Sequence, residues 1–146
     1  MRIKSRFVRN AALAVAVLTI LGACERLRPV YEVHSQAVPV AGTPLTLSQV
    51  ENRIIKAGAS LGWLMKPLKP GLVRGTIRRG RHSAVVNIEY DTSAYSILYG
   101  SSQRLSEGTG SLETRYEGEK VIHKRYNRYV KNLNRQIETY LLTVGS

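Results

Sequence analysis

The sequence predicts an α+β fold: a two-layer domain in which an antiparallel meander of three or four strands carries two helices packed on one face, in the order α-β-β-β(-β)-α. Three observations predict it. A capped amphipathic segment begins at Thr46, the stretches from His82 to Gly100 alternate apolar and polar residues, and residues 122–141 repeat apolar side chains at helical spacing. A sheet with one polar face and two one-sided helices buries its apolar sides when both helices cover the same side of the sheet. The 146 residues suffice for one such domain and not for two independent cores.

The chain opens with MRIKSRFVRN, in which Arg2, Lys4, Arg6 and Arg9 stand without an acid, and continues with an uncharged run over residues 11–23. This is the charged start and apolar middle of a secretory signal. A membrane-spanning helix needs about 20 apolar residues, more than this run supplies before Cys24 and Glu25. Leu21, Gly22, Ala23 and Cys24 resemble the lipobox of bacterial lipoproteins. The resemblance implies a diacylglycerol on the Cys24 thiol and cleavage just before it. An ordinary secretory signal with a cysteine at its cleavage site is the plainer alternative, but the order of charge, apolar run, small residues and cysteine favours the lipobox. The expected organisation is a signal peptide over residues 1–23, a lipidated N-terminus and tether over 24–45, and the domain over 46–146.

Residues 25–45 contain three prolines and no sustained periodicity, hence the expected tether, with short β-pairing by Val30 to Val33 as an open alternative. Thr46 and Gln49 have the spacing of a capping box, with Leu45 and Val50 as hydrophobic staple. Leu47, Val50, Ile54, Ala57 and Leu61 then follow one helical face until Gly62. WLMKPL, a Lys69-Pro70-Gly71 turn, LVRGTIRR, HSAVVNIEYD and AYSILYGS read as successive strands with short turns. Residues 101–120, rich in Gly, Ser and charge, read as a long loop with a brief ordered stretch around Leu112. Ile122, Tyr126, Tyr129, Val130, Leu133, Ile137, Tyr140 and Leu141 form the stripe of a last helix, whose other face carries Lys124, Arg125, Arg128, Lys131 and Arg135. Because that stripe must cover the sheet, the cationic face is expected in solvent and the helix is not expected to lie in a membrane.

The single cysteine leaves no internal disulfide, and no metal or other cofactor is expected. Three histidines, His34, His82 and His123, lack metal-pair spacing. His82 and His123 fall near one sheet edge, and with Asn127 they form an expected polar cluster. Gly108–Ser111, GTGS, would cradle a phosphate only ahead of a helix, and a loop is the better reading. No serine stands in a nucleophile-elbow setting. Arg74, Arg78, Arg79 and Arg81 gather around one hairpin as an expected anion-binding group. Removing the four cations of the signal leaves 18 Lys and Arg against 10 acids, so the mature chain stays basic, near +8.

YSILYGSSQRL (95–105) and IHKRYNRYVKNL (122–133) resemble a family of small uncharacterised proteobacterial lipoproteins. The matching positions are Tyr95, Ser96, Ile97, Tyr99, Ser102, Leu105, Ile122, His123, Tyr126, Asn127, Tyr129 and Leu133. Ser101 and Arg104 depart from the family's acidic residue and asparagine. The resemblance implies an envelope lipoprotein and carries no reaction.

The expected function is therefore a membrane-anchored, non-enzymatic periplasmic domain that binds an anionic envelope component or a protein. Anionic lipid, lipopolysaccharide and peptidoglycan are the anions at hand, and nucleic acid is not an expected partner. Glu25 is acidic without being the Asp that favours inner-membrane retention in enteric bacteria, which favours the outer membrane. Two alternatives stand beside this reading: a small hydrolase or transferase using His82 or His123 with a nearby serine, and an assembly subunit pairing through an open sheet edge.

Overall fold

The computed structural model describes residues 27–40, 42–105, 114–116 and 119–143. In chain order these form β1 (Leu27–Pro29), β2 (Val33–Ala37), α1 (Leu47–Ser60), β3 (Leu64–Lys69), β4 (Leu72–Arg79), β5 (His82–Tyr90), β6 (Ala94–Gln103), β7 (Thr114–Tyr116), β8 (Glu119–His123) and α2 (Lys124–Leu142). A five-stranded antiparallel sheet runs β2-β6-β5-β4-β3, and a smaller one runs β1-β8-β7. The α+β class, the meander and the two helices are as the sequence predicts.

Helix α1 starts where the capping box places it. The Gln49 N–H donates to Thr46 Oγ1 at 3.3 Å, and the Thr46 N–H donates to Gln49 Oε1 at 2.8 Å. Two orphan donors of the first turn are thereby satisfied. Val50, Ile54 and Ala57 are fully buried, whereas Leu47 stays 37% exposed. The helix closes at Gly62, whose φ of +78° is cheap only for glycine. Arg79 reinforces this end by donating from Nη2 to the Leu61 carbonyl at 2.8 Å, a cation at the negative pole of the helix.

Alternation fixes the sheet's inner face. Val73 and Ile77 of β4, Ala84, Val86, Ile88 and Tyr90 of β5, and Tyr95 and Ile97 of β6 are buried in one core with α1 and α2. Full burial of an aliphatic side chain of this size contributes about 1.5–3 kcal/mol. A bulge at Gly100 shifts the β5–β6 register between Val85 and Val86. A Cβ there would stand 2.9 Å from the Val85 carbonyl oxygen. The extra residue resets the pairs beyond it, bringing Ser102 opposite Ala84, while Tyr99 opposite Val86 lies on the core side, where its ring meets Tyr126 edge-on at 5.3 Å.

Helices α1 and α2 lie antiparallel. Arg53 of α1 donates from Nη1 to the Leu141 carbonyl at 2.8 Å, and Gln136 of α2 donates to Ser60 Oγ at 3.2 Å. Tyr126, Val130, Leu133 and Ile137 are fully buried beneath α2.

Three sequence expectations are corrected. Residues 27–38, read as tether, are part of the fold: β1 pairs with β8, β2 pairs with β6, and the Val38 N–H donates to the Ser93 carbonyl at 2.8 Å. Val33 and Val38 bury themselves in the core, which an extended linker cannot do. The stretch read as a long loop contributes the end of β6 and all of β7, and it supplies the start of β8. Ile122 belongs to β8 and not to the last helix, which begins after His123. The GTGS stretch and Leu112 lie outside the described residues, as do Leu21, Gly22, Ala23 and Cys24.

Candidate functional site

The segment leading away from Cys24 is fastened to α2 by one side chain. Asn127 Oδ1 accepts from the Tyr31 N–H at 2.9 Å, while its Nδ2 donates to the Pro29 carbonyl at 2.8 Å. The Pro29 carbonyl closes β1 and the Tyr31 N–H lies just beyond it, before β2, so the amide continues the segment's hydrogen bonding where the β1–β8 ladder ends. A groove of about 540 Å³ opens between this segment and α2. Its lining includes Arg28, Lys124, Arg128, Lys131 and Arg135, and none of the described residues lining it is acidic. Lys131 Nζ sits 5.1 Å from the centroid of the Tyr31 ring, a cation–π contact across the groove.

The charges of α2 oppose the helix that carries them. Lys124, Arg125 and Arg128 crowd its N-terminal end, whose first turn has no acid, and its last turn has no basic residue. The N-terminus is the positive pole, so each of these cations forgoes the 0.3–1 kcal/mol or so that a carboxylate would contribute there. Lys124 with Arg128, and Lys131 with Arg135, are like-charge pairs four residues apart, each costing roughly 0.2–0.5 kcal/mol. A face selected only for solubility has no reason to concentrate charge where it destabilises. The nearby Glu32 turns to the main sheet instead, accepting from the Tyr99 N–H at 2.7 Å.

The other expected sites are dispersed. His82 Nδ1 lies 2.6 Å from the Arg104 carbonyl oxygen, an acceptor, and therefore carries the proton. His123 caps α2, its Nδ1 accepting from the Arg125 N–H at 3.2 Å, which requires that nitrogen to be unprotonated. The His82 ring and the His123 backbone reach neighbouring residues of one segment, Arg104 and Leu105, since the His123 N–H donates to the Leu105 carbonyl at 2.8 Å. Asn127, engaged with Pro29 and Tyr31, does not join them in a polar cluster. The arginine group is likewise split. Arg74 and Arg78 project from the outer face of β4, with Arg74 Nε donating to Asn87 Oδ1 at 3.2 Å. Arg79, one residue on, turns inward to cap α1, and Arg81 is exposed in the turn.

A second cavity of about 380 Å³ lies at the opposite end of β5 and β6, beside Lys69, Glu89 and Asp91. Asp91 is consumed by the turn. Its Oδ1 accepts from the Ser93 and Ala94 N–H groups and from Ser93 Oγ, and these bonds hold its carboxyl below the usual aspartate range. Tyr90 donates to Glu51, and burial together with that partner pushes its phenol up to about 12. Burial likewise raises Tyr95 and Tyr126. Among the described residues no group of three or more His, Cys, Asp or Glu is arranged to hold a metal. No described helix is long and apolar enough to cross a membrane.

Segments 95–105 and 122–133 place their large apolar side chains in the core. Tyr95, Ile97, Leu105, Ile122, Tyr126 and Leu133 are buried, and Tyr95 donates to Asn134 Oδ1 at 2.7 Å. Comparison with protein-family models, curated proteins and solved structures finds no match. The groove beside α2 could not be found from the sequence without knowing that residues 28–31 dock there. Its one sequence signal was the cationic face of the last helix.

Proposed function

We propose that this chain is a lipid-anchored lipoprotein of the bacterial envelope whose domain faces the periplasm and binds an anionic envelope component without catalysing a reaction. The observation that carries this reading is the concentration of Arg28, Lys124, Arg128, Lys131 and Arg135 around one groove on a helix that their charge destabilises. The lipobox-like residues ending in Cys24 support the anchor, and Glu25 favours the outer membrane. A non-enzymatic role is supported by the histidines, whose ring nitrogens meet backbone groups of Arg104 and Arg125. The edge-pairing alternative is disfavoured by the edge strands themselves. β3 carries Lys66, Pro67 and Lys69, and β2 is broken by an irregularity with Ser35 at φ +48°.

Two measurements test the reading. Metabolic labelling with a fatty-acid analogue should mark the wild-type chain and not Cys24→Ser, and normal processing of that variant would refute the anchor. The purified lipoprotein in detergent should be retained by an anionic support and released by salt; salt-independent retention, or none, would refute the anionic ligand. A protein partner is the second reading, favoured by Leu64, 74% exposed, and Leu68, 40% exposed, on edge strand β3. Crosslinking in cells through β3 would establish it.

A further inference from the structure

We infer that the groove between residues 28–31 and α2 is a phospholipid headgroup site, in which the phosphate of an anionic lipid from the leaflet holding Cys24 lies between Arg28 and the cations of α2. This rests on the reading of Cys24 as the lipid-bearing residue, and deepens it by naming the ligand and the surface that meets it.

Three observations converge on the groove. The first is reach. Residues 27–38 of the expected tether are built into the fold, so only four residue steps separate Cys24 from Arg28, at most about 14 Å of fully extended chain. The nearest anions at that distance are the headgroups of the leaflet itself. The second is chemistry. Lys124, Arg128, Lys131 and Arg135 follow one another at intervals of four, three and four residues, a single stripe about 16 Å long. Arginine forks match phosphate oxygens in pairs, and the positive pole of α2 adds to the same field. The third is the charge arrangement of the helix, which is unfavourable in the unliganded protein and is relieved by an anion at that end. Lys131 is steadied over the Tyr31 ring, and Asn127 holds the opposite wall of the groove in place.

The domain therefore lies with α2's charged face toward the bilayer while its apolar stripe stays in the core. Arg74 and Arg78, on the outer face of the sheet, and Arg81, in the hairpin turn, take no part in the contact.

The test uses the native, processed lipoprotein in nanodiscs of phosphatidylcholine with or without phosphatidylglycerol. With Cys24 acylated, Asn132→Cys in the groove or Thr92→Cys in the β5–β6 turn provides the sole reactive thiol for a fluorophore, read against a quencher on the lipid headgroups. The Asn132→Cys label should be strongly quenched when phosphatidylglycerol is present, and the Thr92→Cys label should not. Combining Lys124→Gln, Arg128→Gln and Arg135→Gln should lower the docked-to-undocked ratio about a hundredfold, while Arg74→Gln, Arg78→Gln and Arg81→Gln together should leave it unchanged. Should the first combination unfold, Arg128→Glu alone, a change of two charges, should lower the ratio about thirtyfold. Equal quenching on both lipids, or sensitivity to the sheet-face and turn arginines instead, overturns the headgroup site while leaving the anchor intact. A maleimide-reactive Cys24 in the unsubstituted protein overturns the anchor, and the headgroup site with it.

Discussion

Asn127 uses both ends of its amide on one short segment, and no other residue can replace it without losing a bond. Alanine removes both contacts. Aspartate keeps the acceptor for Tyr31 but turns a carboxylate toward the Pro29 carbonyl. Asn127→Ala should cost about 1–3 kcal/mol, two ordinary hydrogen bonds. The urea midpoint read by Trp63, the only tryptophan and a buried one, measures this cost. Cleavage within residues 27–40 by a nonspecific protease should accelerate at the same time. Tyr126 offers the opposite case. Its hydroxyl is buried with no partner among the described residues, so Tyr126→Phe should leave stability unchanged or raise it. A fall of more than about 1 kcal/mol in the same assay would reveal a hidden acceptor.

At the scale of elements, α2 carries the sharpest prediction. Lys124→Glu places a carboxylate at the positive pole and breaks the like-charge pair with Arg128, so thermal unfolding should show a gain of about 0.3–1 kcal/mol. The same substitution should weaken retention on an anionic support. Stability and binding move in opposite directions, a result that a purely solubilising face would not give. The sequence revealed these elements unevenly for identifiable reasons. The strands from Leu72 to Gly100 were legible because one face is buried and the period of two is clean. β1 was not, because three residues hold no period, and β2 was hidden by its irregularity. Ile122 stands four residues before Tyr126, so its burial on β8 imitates the first turn of a helix. The arginines around the β4–β5 hairpin divide between faces: Arg78 and Arg79 are adjacent, and adjacent strand residues face opposite sides. The cations of α2 were visible, but the wall opposite them was not, since nothing local in residues 28–31 announces where they dock.

Across the whole molecule, buried phenols couple folding to alkali. Tyr90 is held near pH 12 in the folded state against about 10 when unfolded, and Tyr95 and Tyr126 are raised as well. Below pH 10 all three are neutral in both states and add no pH dependence. Above it the unfolded chain releases protons that the folded chain retains, so stability falls as pH rises from 10 toward 12. The urea midpoint should therefore drop over that range, and Tyr90→Phe should flatten the drop. A midpoint indifferent to pH up to 12 would contradict the burial of these rings.

The pairing of β1 with β8, with Asn127 reaching back across 96 positions to Tyr31, has a consequence for the order of events during biosynthesis. A chain that emerges N-terminus first presents residues 27–31 long before their partners exist. This early segment is thus among the last to find its place, and loop closure over nearly the whole domain must precede its docking. A chain halted before residue 119 would keep the meander's local pairings but leave its leading end unclasped. Completion of the fold is in that sense a signal that the chain has been delivered through β8 and the start of α2.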